Sequence, residues 1–279
     1  MRIGLIGCGN MGAGMALRLD ETGEPAVVWD ADPTARDRAR AVGLTVAASL
    51  EEAAASDLLI LSLPHAAAVR AVMAEATTHL PAGAVVVDAT TSEPGVSREI
   101  AAGAKDWTFL DAPVSGGPTG ARGGTMTMLV GGDETALERV RPILERLTAK
   151  IVHVGAPGAG HAAKIANNML CAANLSLVAE AVRMAEAAGV APEKLIEGIN
   201  AGSGRSGVTE VNFPRWVLSG AYDSGFTMGL MRKDVALAAA LAEETGVATP
   251  AFGPIARLWA ESAEGLADEA DFNEIARPK

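Results

Sequence analysis

The sequence predicts an α/β protein in two parts: an N-terminal doubly wound sheet, then an all-α C-terminal domain built on one long helix. Three features predict it. Short apolar runs alternate with amphipathic stretches through the first half, the pattern of βα units that build a parallel sheet. A glycine-rich corner follows the first of those runs directly. Beyond residue 160 the sequence changes to alanine-rich helical periodicity.

In chain order, residues 2–6, 26–29, 58–62 and 85–88 are apolar runs of the kind expected for strands buried on both faces. Runs at 108–111, 125–130 and 151–154 continue the sheet, the middle one broken off by Gly131-Gly132. The sheet domain is therefore expected over 1–159 and the helical domain over 160–279. Residues 161–188 lack proline and glycine and stop at Gly189 and Pro192, which predicts a helix about 40 Å long, enough to run on as the spine of the second domain. Further helices are expected at 193–200, 230–245 and 254–264, between glycine and proline punctuation. The acidic stretch 268–274 reads as a solvated tail or a final turn.

Composition removes several classes of function. A formal charge of −11 over 279 residues leaves no basic stripe for nucleic acid or an anionic bilayer. No uninterrupted apolar run is long enough to span a membrane, and the N-terminus reads as a strand, so a cytoplasmic location is expected. Leu5-Ile6-Gly7-Cys8 resembles a lipoprotein cleavage box but lies too near Met1 to follow an apolar leader. Cys8 and Cys171 offer no disulfide framework, and His65, His79, His153 and His161 fall in no metal-ligand spacing, so no metal is expected.

The opening corner carries chemistry. Gly7-Cys8-Gly9-Asn10-Met11-Gly12 follows a strand and opens an apolar helix, the context of a dinucleotide fingerprint in a Rossmann domain. Gly7 permits the tight turn, Gly9 lets a pyrophosphate approach the backbone, and Gly12 lets helix pack on strand, while the helix N-terminus turns unpaired N–H groups toward the anion. Asp30 ends the second strand 18 residues after Gly12, where a carboxylate accepts from the adenosine ribose and repels a 2′-phosphate. NAD is thus favoured, with NADP possible through Arg36; the alternative is that Asp30 or Asp32 caps the next helix.

Two later motifs suggest a substrate site. Ser115-Gly116-Gly117 offers a hydroxyl and bare backbone N–H groups in one concavity, suited to a carboxylate, although the same residues also make an ordinary turn. Lys164 and Asn168 stand at i and i+4 on the long helix, on one face and near its N-terminus. A lysine partly desolvated beside a positive dipole end can serve as the acid or base that hydride transfer from an alcohol requires. The alternative is a lysine extended to solvent beside a polar asparagine. His161 is a rival base, ranked lower because it falls at the helix start.

Asp111-Ala112-Pro113-Val114-Ser115-Gly116-Gly117, together with the stretch from Gly158 through Lys164 to Asn168, resembles the β-hydroxyacid dehydrogenases. The likeness extends over nearly the whole chain, taking in Met11-Gly12, Leu63-Pro64, Asp88-Ala89-Thr90-Thr91 and Lys233-Asp234. The resemblance implies that Ser115 and Gly116 receive a substrate carboxylate, that Lys164 is the catalytic acid/base, and that Asn168 orients substrate or lysine. It also implies that Leu63, Pro64, Thr91 and Lys233 touch the cofactor. Arg205, in a glycine-rich segment, is a candidate for recognising an acidic or hydroxylated tail of the substrate.

The expected activity is therefore hydride transfer between NAD and a small β-hydroxyacid such as 3-hydroxyisobutyrate. The alternatives are an imine reductase of the same architecture, which Lys164 argues against, and a non-catalytic dinucleotide-binding scaffold. The expected partners are a small carboxylate substrate and further copies of the chain, as a homodimer or homotetramer, because the alanine-rich helices carry more apolar face than one small domain buries.

Overall fold

A computed structural model describes residues 1–277 and divides the chain into two compact units, Met1–Lys164 and Ile165–Lys279. In the first unit the parallel strands are β1 (Ile3–Ile6), β2 (Ala26–Trp29), β3 (Thr45–Val46), β4 (Leu58–Leu61), β5 (Val85–Asp88) and β6 (Thr108–Asp111). They lie in the order β3-β2-β1-β4-β5-β6. Chain order reverses between β1 and β4, and the crevice at such a reversal is where open α/β sheets bind ligands. The sheet continues through β8 (Met126–Gly131), which runs antiparallel to β6 and to the short β7 (Val114–Ser115) and parallel to β9 (Thr148–Gly155).

Burial explains why the apolar runs are strands. Every residue of β1, β4 and β5 is buried, as in a sheet covered on both faces. One face packs Leu5, Val28, Leu58, Ile60, Val85 and Val87 under α1 (Asn10–Glu21) and α7 (Glu134–Leu147). The other packs Ile6, Leu59, Leu61, Val86 and Phe109 with Val69 and Met73 of α4 (Ala66–Ala76). The remaining helices of this unit are α2 (Pro33–Ala41), α3 (Leu50–Ala54), α5 (Pro94–Gly103) and α6 (Gly117–Gly123).

The long helix α8 (Ala159–Ala187) starts in the first unit and continues as the core of the second. By length and composition α8 could cross a membrane, but Ile165, Ala172, Leu175, Ala179 and Val182 lie in the apolar core of the second unit. There they pack with α9 (Pro192–Ala201), α10 (Met228–Thr245), α11 (Phe252–Glu261) and the fully buried Trp259, whose indole donates to Ala172 O at 3.3 Å.

The structure differs from the sequence reading in three places. The two-residue strands β3 and β7 were not expected. β8 does not stop before Gly131; a side chain at that glycine would lie 2.6 Å from Asp111 Oδ1, so packing rather than a turn demands it. A π-helix, Val208–Val217, occupies a stretch with no expected element. For the acidic C-terminal stretch the final turn, not the solvated tail, is what forms: Asp271 accepts from Ser224 N, Ser224 Oγ, Asn273 N and Asn273 Nδ2, and Phe272 is buried.

Candidate active site

The glycine corner lies where β1 ends beside β4. Gly7 has φ +104°, and a Cβ there would lie 2.1 Å from Ser62 O; at Gly12 it would lie 1.8 Å from Gly7 O. The protein's own backbone therefore excludes side chains at both positions. At Gly9 a Cβ would meet nothing within 4 Å, so nothing inside the chain requires glycine there. Gly9 also caps α1 without a side-chain hydrogen bond, whereas Asp32, Ser49 and Asp133 cap α2, α3 and α7. Open backbone and an uncapped helix N-terminus fit the pyrophosphate of a dinucleotide. Asn10 is exposed and Met11 half-buried on the first turn of α1.

Asp30 braces this corner from β2. Its Oδ2 accepts from Cys8 N at 2.6 Å and its Oδ1 from Asp32 N at 2.9 Å. A carboxylate has about four acceptor sites, so two such bonds leave capacity for ribose hydroxyls. The helix cap is Asp32, which accepts from Thr34 N. Arg36 lies over the Trp29 ring at 5.8 Å and donates to Asp30 O at 2.5 Å. Burial and then the Asp30 charge push the Cys8 thiol up to about 12, against the pull of Arg36.

Beside the corner, Leu63 and Pro64 follow β4 and Thr91 follows β5; Leu63 and Thr91 are half-buried and Pro64 is exposed. The Thr90 hydroxyl joins these two loops by accepting from Leu63 N at 3.1 Å.

The Ser-Gly-Gly turn and Lys164 come together directly. Gly116 and Gly117 have φ of +131° and +63°, conformations that exclude most side chains and lead from β7 into α6. Lys164 is 7% exposed, and its Nζ donates to Ser115 Oγ at 2.7 Å. Asp111, which sequence reading used only as part of a motif, holds the first turn of α8 to the sheet. Its carboxylate accepts from Gly158 N at 2.7 Å and His161 N at 2.8 Å, where negative charge also meets the positive end of the helix. Burial pushes the Asp111 carboxyl up, and those backbone N–H groups oppose the shift.

In the second unit Asn168 is buried and donates from Nδ2 to Asp234 Oδ2 at 2.5 Å, while its Oδ1 accepts from Asn167 Nδ2 at 3.0 Å. Asp234 Oδ1 has no hydrogen bond and lies 3.3 Å from Lys233 Nζ. The hold of Asp234 on Asn168, 66 residues apart, had no local signal. Arg205 is exposed, 3.7 Å from Glu210. Among the described residues no group of three or more His, Cys, Asp or Glu side chains could hold a metal ion.

Two family models divide the chain between them. Residues 2–155 match the NAD-binding domain of 6-phosphogluconate dehydrogenase, and residues 158–279 match a domain described as the NAD-binding part of NADP-dependent 3-hydroxyisobutyrate dehydrogenase. A probable 3-hydroxyisobutyrate dehydrogenase of Mycobacterium tuberculosis is 36% identical over 98% of this chain and 96% of its own. The NAD-dependent L-serine dehydrogenase of Pseudomonas aeruginosa is 37% identical over 89% of this chain and 88% of its own. The solved structure of Mycobacterium tuberculosis 3-hydroxyisobutyrate dehydrogenase with L-serine superposes with a TM-score of 0.90 at 35% identity, covering 99% of this chain and 98% of that one. With likeness over this much of the chain at this identity, the chain belongs to the β-hydroxyacid dehydrogenases, a family of nicotinamide-dependent oxidoreductases.

Proposed function

We propose that the chain reversibly oxidises a small β-hydroxyacid to its semialdehyde or keto acid, with Lys164 as general acid/base. The observation that carries this reading is the 2.7 Å hydrogen bond from the buried Lys164 amine to Ser115 Oγ. It joins a buried amine able to move a proton to a turn suited to hold a carboxylate. Two relatives are named for 3-hydroxyisobutyrate and L-serine, compounds with a carboxylate and a hydroxyl on the β carbon, which supports the same substrate class here.

In this reading Ser115 Oγ and the N–H groups of Gly116 and Gly117 receive the carboxylate. Neutral Lys164 accepts the hydroxyl proton as the carbonyl forms, and its ammonium returns that proton in the reverse reaction. The nicotinamide, when bound, accepts or returns the hydride. Asn168, its amide fixed by Asp234, orients the reacting groups, and Arg205 recognises the substrate's far end. Gly7, Gly9, Asn10, Met11 and Gly12 seat the pyrophosphate, Asp30 binds the ribose of NAD in preference to NADP, and Leu63, Pro64, Thr91 and Lys233 line the cofactor. Residues 1–159 form the dinucleotide-binding domain, which also supplies the carboxylate turn, and 160–279 form the helical domain that completes the substrate site and carries self-association in a cytoplasmic homodimer or homotetramer. The exposed Leu170, Leu177 and Met184, spaced by sevens along α8, support that association.

Replacing Lys164 by Met tests the reading. Dinucleotide binding is expected to survive while turnover of short β-hydroxyacids falls by about 10²- to 10⁴-fold. Near-normal turnover would falsify the acid/base role, and a marked preference for NADP in the same assay would remove the role given to Asp30.

A further inference from the structure

We infer that His161 is a positioning residue that sets the place of Lys164 by locking the first turn of α8 to the loops after β4 and β5; this rests on the acid/base reading of Lys164. His161 is 0% exposed. Its Nε2 lies 2.8 Å from Thr90 O, and because a carbonyl can only accept, Nε2 carries the hydrogen. Its Nδ1 lies 2.8 Å from Ser97 Oγ, and in the neutral ring it accepts from that hydroxyl. Asp88 Oδ2, 3.8 Å from Nε2, favours the same tautomer. With both ring nitrogens committed and no path to solvent, the imidazole is no rival base.

These contacts join three parts of the candidate site. Thr90 accepts at O from His161 and at Oγ1 from Leu63 N, so the imidazole ties α8 to both loops proposed to line the cofactor. Ser97 ties it to α5. The backbone N–H of His161 is meanwhile held by Asp111 at the end of β6. The helix start has no slack to absorb a change: a Cβ at Gly158 would lie 2.7 Å from Pro94 O, and one at Gly160 would lie 2.4 Å from Asp111 O. Lys164 stands one helical turn after His161, so a displacement of that turn carries the amine with it. Displacement by about 1 Å can cost about 10² in rate even when every reacting group is retained.

The test is a double-mutant cycle. His161→Leu fills the space and removes both ring hydrogen bonds, whereas His161→Gln retains a donor for Thr90 O and an acceptor for Ser97. Each is made in the wild type and in Lys164→Met, with kcat per folded molecule, KM for each substrate and melting temperature measured. In the wild type, His161→Leu is expected to lower kcat by about 10²-fold with KM for the dinucleotide little changed, and His161→Gln to recover most of the loss. In Lys164→Met neither change is expected to lower kcat further, because a residue acting through Lys164 has nothing left to position. An equal loss in both backgrounds overturns the inference, as does unchanged kcat in His161→Leu or a glutamine variant no better than leucine. If the leucine variant does not fold, Ser97→Ala carries the same cycle: a smaller loss that vanishes in Lys164→Met supports the inference, and no loss or an undiminished one overturns it. Failure of the acid/base reading is separate, since it appears as near-normal turnover in Lys164→Met alone.

Discussion

Two segments of the chain are equally rich in glycine and differ in what glycine does there. In residues 7–12, Gly7 and Gly12 stand where a Cβ would enter backbone at 2.1 and 1.8 Å, and Gly9 stands where it would meet nothing. In residues 202–207, Gly202 would meet its nearest neighbours at 3.7 Å, Gly204 would meet Ile199 Cγ2 at 3.3 Å, and Gly207 would meet nothing. None of these three has positive φ. The first segment is thus fixed by contacts within 2.1 Å of the chain's own carbonyls, while the second tolerates side chains with small adjustments. Position after a buried strand, rather than glycine count, distinguishes a ligand corner from a loop.

The largest effect expected from this contrast is at Gly12. Gly12→Ala forces Gly7 to move and is expected to cost about 3 kcal/mol or more. Calorimetry should then show the melting temperature lower by about 6 to 12 °C. Gly9→Ala should melt like the wild type yet bind NAD more weakly, and Gly207→Ala should leave both properties unchanged. Wild-type melting in Gly12→Ala, or wild-type NAD affinity in Gly9→Ala, would break the comparison.

The same distinction explains how much could be read from sequence. The long strands and helices are legible because burial on two faces, or on one stripe, leaves a period in the residues. Strands β3 and β7 have two residues each, too few to show any period. The pyrophosphate corner is legible because its residues are contiguous. Ser115 and Lys164 meet across 49 residues and Asn168 and Asp234 across 66, and those pairings come from packing, which no local pattern encodes. Only likeness to a family pointed to Ser115 and Lys164 as partners in one reaction, and the hydrogen bond between them gives that pairing a geometry.

The π-helix beside the second glycine segment gives the comparison a sharper test. Pro214 reads as a helix breaker, yet it lies inside Val208–Val217. With bonds running from residue i to i−5, as from Leu218 N to Phe213 O, the missing N–H of Pro214 leaves Thr209 O without its donor. Asn200, on α9, supplies one: its Nδ2 donates to Thr209 O at 3.1 Å. Its own Oδ1 is buried without a hydrogen bond, so the asparagine serves the carbonyl rather than itself. Asn200→Ala is expected to lower unfolding free energy by about 1–2 kcal/mol in urea, with Asn200→Asp worse because a carboxylate cannot donate. Unchanged stability in both would mean that the π-helix does not depend on this side chain, leaving the second segment as unconstrained as its glycines suggest.

The smallest effect belongs to Cys8, inside the first segment. Its thiol is raised from 9.0 to about 12, mainly by burial and further by the Asp30 charge, so in the folded protein it stays protonated where an unfolded chain would ionise. Between those values the native state holds more protons than the unfolded state, and linkage makes stability fall as pH rises. The contribution is complete below pH 9 and is lost progressively toward pH 12. Relative to Cys8→Ala, the wild type should lose about 1 kcal/mol more of its unfolding free energy between pH 8.5 and 10. Parallel pH profiles for the two proteins would mean that the thiol ionises freely and that the corner is open to solvent at Cys8 as well as at Gly9. A steeper wild-type profile would confine the open backbone to Gly9 and the helix end behind it, the arrangement a pyrophosphate needs.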